Sequence, residues 1–212
     1  MLIVTGPGRQ SSAQTTIRAA IPPTPTTAPT PPQSLRFAGQ ISNSEDDVNQ
    51  TPNGQLVHTG DLWIGSVERP ESSYTGLRFT GVQIPPGAQI LSMHLEFYLL
   101  RDHYDPVDVV VTADAADDSA PFTNDNPPSV RLLPAQQIPE HVQEPWLAGN
   151  RYEFDELAPI IQEIVSRPGW QNGNSLSIIM HGAGRPQERR WVGNYDDFLE
   201  SAPRLVVVYQ VL

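Results

Sequence analysis

The residues of this 212-residue chain best suited to chemistry are two groups of carboxylates. Glu45, Asp46 and Asp47 form a short acidic loop, and Asp196 and Asp197 come just before the last predicted strand. Ca²⁺ binds about six to eight oxygens from carboxylates, amides and carbonyls. If the fold is a β-sandwich, its first and last strands are often neighbours, so the two groups could meet. The sequence therefore predicts a calcium site, with a solvated acidic loop as the alternative.

Catalytic motifs have no comparable support. The five histidines show neither His-x-His nor His-Glu-x-x-His spacing, and neither a Gly-x-Ser-x-Gly elbow nor a phosphate-binding glycine loop is present. The chain has no cysteine, and all 13 of its basic residues are arginine, which excludes thiolate chemistry and lysine Schiff bases. A carboxylate pair such as Asp117 and Asp118 could serve a glycosidase, but adjacent surface acids are usually only solvated. We expect no enzymatic activity.

The charge balance limits the partners of the chain. Its 24 acidic residues against 13 basic ones give a net charge of −11 and a pI near 4.7. Nucleic acids and anionic membranes reward clustered positive charge, so neither is expected as a partner. No apolar run approaches the roughly 18 residues that a membrane-spanning helix requires.

A strictly alternating segment indicates the elements that must position these acids. Between residues 91 and 99 every second residue is apolar, the pattern of a half-buried antiparallel strand. The preceding Ile84-Pro-Pro-Gly-Ala88 reads as a turn, because two prolines remove the donors that a central strand needs. The residues expected on the buried face are Leu91, Met93, Leu95, Phe97 and Leu99.

Other segments predict three further strands and one helix. Strands are expected at residues 107–113, 176–180 and 204–212, whereas residues 130–143 are strand-like but poorly patterned. A helix capped by Asp155 and ended by Pro168 is expected. Its apolar stripe comprises Leu157, Ile160, Ile161, Ile164 and Val165. The fold class is therefore mainly β, an antiparallel β-sandwich with one amphipathic helix.

The first 34 residues differ from the rest of the chain. Residues 1–20 form an extended N-terminal arm, residues 21–34 a spacer rich in Pro and Thr, and residues 35–212 the sandwich. The spacer favours polyproline II and resembles the O-glycosylated stalks of exported proteins. Its glycosylation candidates are Thr24, Thr26, Thr27 and Thr30, to which the sequon at Asn49 adds one more.

The arm has too few apolar residues to build a core of its own. A disordered tail is the simplest interpretation of such a segment. The alternative, which we favour, is a donor strand that pairs with the sheet of a neighbouring subunit. The residues expected to make this contact are Leu2, Ile3, Val4, Thr15, Thr16 and Ile17.

Several turn and core motifs carry a resemblance to a known family. Gly76-Leu-Arg-Phe79, Ile84-Pro-Pro-Gly-Ala-Gln-Ile90, Arg167-Pro-Gly-Trp-Gln-Asn-Gly-Asn-Ser-Leu176 and Ala202-Pro-Arg-Leu-Val-Val-Val-Tyr209 occur together with an early Asp-Asp pair. They resemble a bacterial extracellular jelly-roll β-sandwich domain, similar to the DNRLRE-type and carbohydrate-binding-module-like domains of surface proteins. The resemblance implies a jelly roll that is not an enzyme. It also implies a structural Ca²⁺ bound by Asp46, Asp47 and Asp196, with Glu45, Asp61 and Asp197 nearby.

Two functions from different classes follow. In the first, the protein is a structural subunit of an extracellular filament or surface appendage, a homopolymer built head to tail by the arm. In the second, it is a carbohydrate-binding or adhesive module of a secreted surface protein. Polysaccharide would then be the partner, stacked on exposed members of the four tryptophans at 63, 146, 170 and 191. Both place the protein outside the cell or on its surface.

Overall fold

The computed structural model describes residues 2–3, 8, 33–58, 60–69, 73–197 and 199–211. The chain divides into two compact units, Met1–Pro31 and Pro32–Leu212. The second unit, called the body below, contains nearly all of the described residues. Most of the predicted arm and most of the predicted spacer lie outside them.

The described part of the body contains twelve strands and one α-helix. The strands are β1 (Ser34–Gln40), β2 (Asp47–Gln50), β3 (Leu56–Val57), β4 (Leu62–Gly65), β5 (Tyr74–Phe79), β6 (Gln89–Tyr98), β7 (Val107–Ala113), β8 (Ile138–Val142), β9 (Arg151–Phe154), β10 (Leu176–Gly182), β11 (Arg189–Val192) and β12 (Arg204–Gln210). The helix, α1, spans Ala158–Val165.

The strand order identifies the fold. One sheet has the order β1-β12-β6-β9, a second the order β3-β2-β5-β10-β7-β8, and β11 pairs with β4 in a two-stranded ribbon. Every pair is antiparallel. Two four-stranded sets, β1-β12-β6-β9 and β5-β10-β7-β8, have the connectivity of a jelly roll, and β2 and β3 extend the second sheet. This confirms the predicted fold class.

Strand β6 shows the expected alternation with one exception. Met93, Leu95 and Phe97 are buried, but Leu91 is 46% exposed. Along β12, Tyr209 pairs with Ile90 while Val208 pairs with Ser92, so the register shifts and Leu91 is the extra residue of a β-bulge. A bulge reverses the side-chain alternation on one side of it. The prediction for Leu91 was therefore wrong.

Helix α1 buries the predicted stripe but begins differently. Asp155 does not cap it, because the residue at the N-cap is Leu157, whose side chain makes no capping hydrogen bond. Glu156 has φ 57°, a left-handed conformation that turns the chain between Asp155 and the helix. Proline in the first turn supplies the fixed φ with which a helix starts.

Two turn regions also bear on the predictions. Ala88 N–H donates to the Pro85 carbonyl at 3.2 Å and Gly87 has φ 73°, which confirms the Pro-Pro-Gly turn. Of the poorly patterned segment 130–143, only Ile138–Val142 forms a strand, because the chain first makes a 3₁₀ turn at Pro128–Val130.

The body has its own hydrophobic core. The main cluster of buried apolar residues runs from Phe37 to Tyr209, and a small second cluster lies around Phe122. Because this core is built within Pro32–Leu212, its packing supplies hydrophobic stabilisation within that unit. In the part of the chain that the structure describes, no helix is long and apolar enough to span a membrane.

Candidate functional site

The two predicted acidic groups do lie next to each other. Strand β1 pairs with β12, so the first and last strands are neighbours as expected. The Ser44 hydroxyl donates to Asp196 at 2.7 Å, and the backbone N–H of Tyr195 donates to Asp47 Oδ2 at 2.8 Å. These two hydrogen bonds connect the start of β2 and the loop before it to the loop before β12.

Most of the six predicted ligands are engaged in other interactions. Asp46 forms an ion pair with Arg78 at 2.9 Å, and both side chains are largely buried. Asp61 forms an exposed ion pair with Arg101. Asp197 accepts a hydrogen bond from the backbone of Asn194, and Glu45 is exposed in the Ser44–Asp46 turn.

Asp47 is the exception among these carboxylates. It is 1% exposed, and its Oδ1 atom has no hydrogen-bond partner. Burial raises the pKa of Asp47 to about 7, and the nearby charges of Asp196 and Asp46 add to the increase. Asp47 lines a small pocket together with His58, whose buried Nδ1 atom also has no partner. The carboxyl can therefore exchange a proton near neutral pH.

The described side chains, as positioned, do not fit a calcium centre. Within the described residues, no three of the predicted ligands have ligand atoms that all lie within 4.8 Å of one another. Two of the six are neutralised by arginine, whereas Ca²⁺ needs about six to eight free oxygens. Calcium binding stays a prediction, and it now depends mainly on Asp47.

A different group of possible ligands lies on the outer face of the four-stranded sheet. The ligand atoms of His94, Glu153 and Asp155 all lie within 4.8 Å of one another. Glu96 is the cross-strand partner of Glu153, and its carboxylate lies 3.5 Å from His94 Nε2. The sequence did not suggest this group, because only the register of β6 against β9 brings it together. A protonated His94 would offset the repulsion between the two glutamates.

Asn49 was predicted to accept a glycan, but its side chain has a structural role in the folded body. The residue is 1% exposed. Its Nδ2 donates to the Trp63 carbonyl at 2.8 Å and to Thr75 Oγ1 at 3.1 Å, while its Oδ1 accepts from the Trp63 N–H at 2.9 Å. These bonds connect β2 to β4 and β5. A glycan on this nitrogen is incompatible with the folded body, because it would displace buried hydrogen bonds.

The predicted assembly residues are only partly described. The side chains of Leu2 and Ile3 are 92% and 84% exposed. The remaining predicted assembly and spacer glycosylation residues lie outside the described residues; they are Val4, Thr15, Thr16, Ile17, Thr24, Thr26, Thr27 and Thr30.

The tryptophans do not provide a flat exposed platform in the part of the body that the structure describes. Trp191 is partly exposed, but the guanidinium groups of Arg101 and Arg189 lie 5.1 and 4.7 Å from its ring centroid. The other three are nearly buried: Trp63, Trp146 and Trp170. A sugar that stacks on Trp191 would have to compete with the two arginines.

Sequence reasoning missed a buried ion pair beside the acidic loop that follows β7. Arg131 and Asp114 are 2.6 Å apart, and their side chains are 4% and 6% exposed. Ser119 donates to the same Asp114 oxygen at 2.7 Å, and the Arg131 guanidinium lies 4.8 Å from the ring centroid of Phe122. Buried charges require such partners. The one sequence signal was a single arginine within an apolar, proline-rich segment.

Comparisons with known proteins return structural similarity alone. No protein-family model matches the sequence, and no curated protein matches it. A chain of Desmodium yellow mottle tymovirus aligns with a TM-score of 0.32 and 8% identity, covering 100% of this chain and 98% of that one. A chain of mud crab tombus-like virus gives a TM-score of 0.28 and 8% identity, with coverage of 99% and 94%.

An enzyme is also among the matched structures. Exo-β-1,3-galactanase from Phanerochaete chrysosporium aligns with a TM-score of 0.30 and 8% identity, covering 82% of this chain and 29% of the enzyme. Scores and identities this low carry no argument about function. The jelly-roll assignment therefore depends on the strand order above, and jelly rolls serve many functions.

Proposed function

We propose that the protein is a structural subunit that assembles head to tail with copies of itself into an extracellular filament or surface appendage. The observation that carries this proposal is a segregation of charge. Residues 1–32 contain two arginines, Arg9 and Arg18, and no acidic residue. The following 180 residues contain the other 11 arginines and all 24 acidic residues, a net charge of −13. Opposite charges favour contact between an arm and a body.

The arm also offers apolar surface to a partner. Leu2 and Ile3 are exposed by 92% and 84%, and burying apolar surface contributes about 25 cal/mol per Å². The body contains its own core, so the proposed contact of the arm with another subunit would not remove apolar residues from that core. A contact between the arm of one copy and the body of the next is heterologous, and it generates an open fibre when the rotation does not close.

The spacer suits such an assembly. Residues 21–32 contain six prolines, and polyproline II extends by about 3.1 Å per residue without internal hydrogen bonds. Twelve residues would bridge roughly 37 Å between two bodies. The same Pro and Thr composition supports an extracellular location, because it resembles exported stalks. The proposed role needs no catalytic group.

Sedimentation velocity of the full chain tests this function. We expect large species that increase with protein concentration. Replacing Arg9 and Arg18 by Gln should weaken assembly. The matched control is Arg185→Gln, which removes an arginine of the body whose side chain is 89% exposed. A chain that stays monomeric at every concentration and salt would rule out the proposal.

A carbohydrate-binding or adhesive module is the second candidate. One observation favours it, a cleft of about 380 Å³ beside the start of β5. Hydroxyl, amide and aromatic groups line the cleft, which are the groups that bind sugars; they belong to Gln50, Thr51, Asn53, Tyr74 and Ser129. Calorimetry with neutral oligosaccharides tests it. Tyr74→Ala should abolish binding, whereas Tyr104→Ala, which changes an exposed tyrosine elsewhere, should not.

A further inference from the structure

Three of the nine exposed large apolar residues in the described part of the body lie in one short segment. Val130, Leu132 and Leu133 are 59%, 78% and 39% exposed, and they fall within four consecutive residues. Single exposed leucines are normal on a protein surface, but a contiguous apolar patch marks an interaction site. This segment begins at the last residue of the 3₁₀ turn Pro128–Val130 and precedes β8.

The segment borders a groove of about 290 Å³. We call it the alanine groove; its apolar lining is formed by Ala115, Ala116, Ala120, Val130 and Leu132. Alanine methyl groups leave space above them that larger side chains can occupy. Asp118 and Asn126 supply polar groups to the same groove. The paired Asp114 and Arg131 also line the groove, so Asp118 is its one carboxylate without an ion pair among the described residues.

Buried hydrogen bonds hold the groove in place. Arg131, paired with Asp114, donates to the carbonyls of Ala120 and Pro121, each at 2.9 Å. The Ala115 N–H donates to the Leu132 carbonyl at 2.7 Å, which joins the two walls. A groove formed before binding avoids the loss of conformational entropy that ordering a loop would require.

We propose that the alanine groove receives the apolar start of the arm, Leu2 and Ile3 with Val4, from a second copy of this chain. The proposal rests on the proposed head-to-tail assembly and names its receiving surface. The arm carries only positive charge. Beside the groove, Asp118 accepts a hydrogen bond from the Ser175 N–H at 2.7 Å but forms no ion pair with any described residue, so its charge is available to an arginine of an incoming arm.

A mixing experiment tests the groove. Leu132→Asp disables the groove and leaves the arm intact, and Leu2→Asp disables the arm and leaves the groove intact. We expect each variant alone to be monomeric and an equimolar mixture to form a heterodimer that grows no further, measured by sedimentation velocity. The matched control, Leu199→Asp, changes a leucine that is 56% exposed outside the groove, and it should assemble like the wild type.

Several outcomes would overturn the proposal. If the Leu132→Asp variant assembled like the wild type, the groove would not be the receiving surface. Head-to-tail assembly through another surface would not be contradicted. A mixture that stays monomeric would show that the groove and the arm do not bind each other. A monomeric wild type would contradict both proposals. If the Leu132→Asp and Leu2→Asp variants were also less thermally stable than this monomeric wild type, the arm would instead occupy the groove of its own chain. Thermal melts confirm that each variant folds, and Val130→Gln provides a second, milder groove variant with the same expected loss.

Discussion

Asp47 combines burial, one free oxygen and two acidic neighbours. Its Oδ2 is fixed by the Tyr195 N–H, while Oδ1 has no partner. Removing a carboxylate from water favours its neutral form, and the charge of Asp196 acts in the same direction. Asp47 therefore makes the stability of the body sensitive to pH in a range where surface carboxylates are already ionised.

The direction of that dependence follows from the two pKa values. The pKa of Asp47 is about 7 in the folded protein and about 4 in an unfolded chain. The contribution of Asp47 to the free energy of unfolding is fully present below about pH 4 and is lost as the pH rises through about 7. The total loss is at most about 4 kcal/mol. We expect the urea midpoint of the wild type to fall over this range and that of Asp47→Asn to fall much less.

The control for this experiment is Asp125→Asn, which changes an exposed acid. It should keep the pH dependence of the wild type. An equal loss of stability in Asp47→Asn and wild type between these pH values would contradict the account of Asp47.

Calcium binding makes a separate prediction at the same residue. Ligands that bind only the folded state raise its stability. If the sequence-based calcium prediction holds, added Ca²⁺ should raise the melting temperature at a pH above 7, EDTA should reverse the increase, and Asp47→Asn should abolish it. Asp61→Asn is the comparison, because this ligand is already paired with Arg101. Identical wild-type melts with Ca²⁺ and with EDTA would end the calcium prediction.

The candidate site could be predicted from the sequence only in outline. The proximity of the two acidic groups followed from the common pairing of first and last strands in sandwiches. The arginine partners of Asp46 and Asp61 did not follow, because Arg78 and Arg101 are 32 and 40 residues away in sequence. Only the tertiary fold decides which carboxylates are neutralised and which one remains free.

At the scale of elements, strand β6 shows what a hydrophobic pattern omits. The alternation from residue 91 to residue 99 predicted the strand, yet the pattern contains no sign of the bulge that exposes Leu91. The same holds for α1, whose stripe was predicted while the left-handed turn at Glu156 was not. Periodicity reports which face is buried, whereas bulges and left-handed residues depend on how neighbouring elements meet.

A pair of matched substitutions tests the bulge. Leu95 is fully buried in β6, so Leu95→Ala should lower the free energy of unfolding by about 2–5 kcal/mol through the lost contacts and the cavity that remains. Leu91→Ala makes the same chemical change at the exposed bulge position, and we expect less than about 1 kcal/mol. Chemical denaturation measures both. Equal losses would place Leu91 in the core and remove the bulge.

For the whole molecule, the jelly roll explains stability and the charge distribution suggests a function. The body contains the core of the described residues and carries the negative charge, and bodies of net charge −13 repel one another. Any contact between copies must overcome this repulsion, and the positively charged arm is the segment equipped to do so. Composition predicted the division into arm, spacer and sandwich, but the groove that we propose as the receiving surface became visible only with the fold.

The most direct test of self-assembly is electron microscopy and sedimentation of the full chain beside a variant that lacks residues 1–20. The full chain should form fibres, and the shortened variant should remain a soluble monomer with a melting temperature close to that of the unassembled wild type, because the core lies within the body. Fibres of the same form from the shortened variant, or no fibres from the full chain, would contradict assembly through the arm.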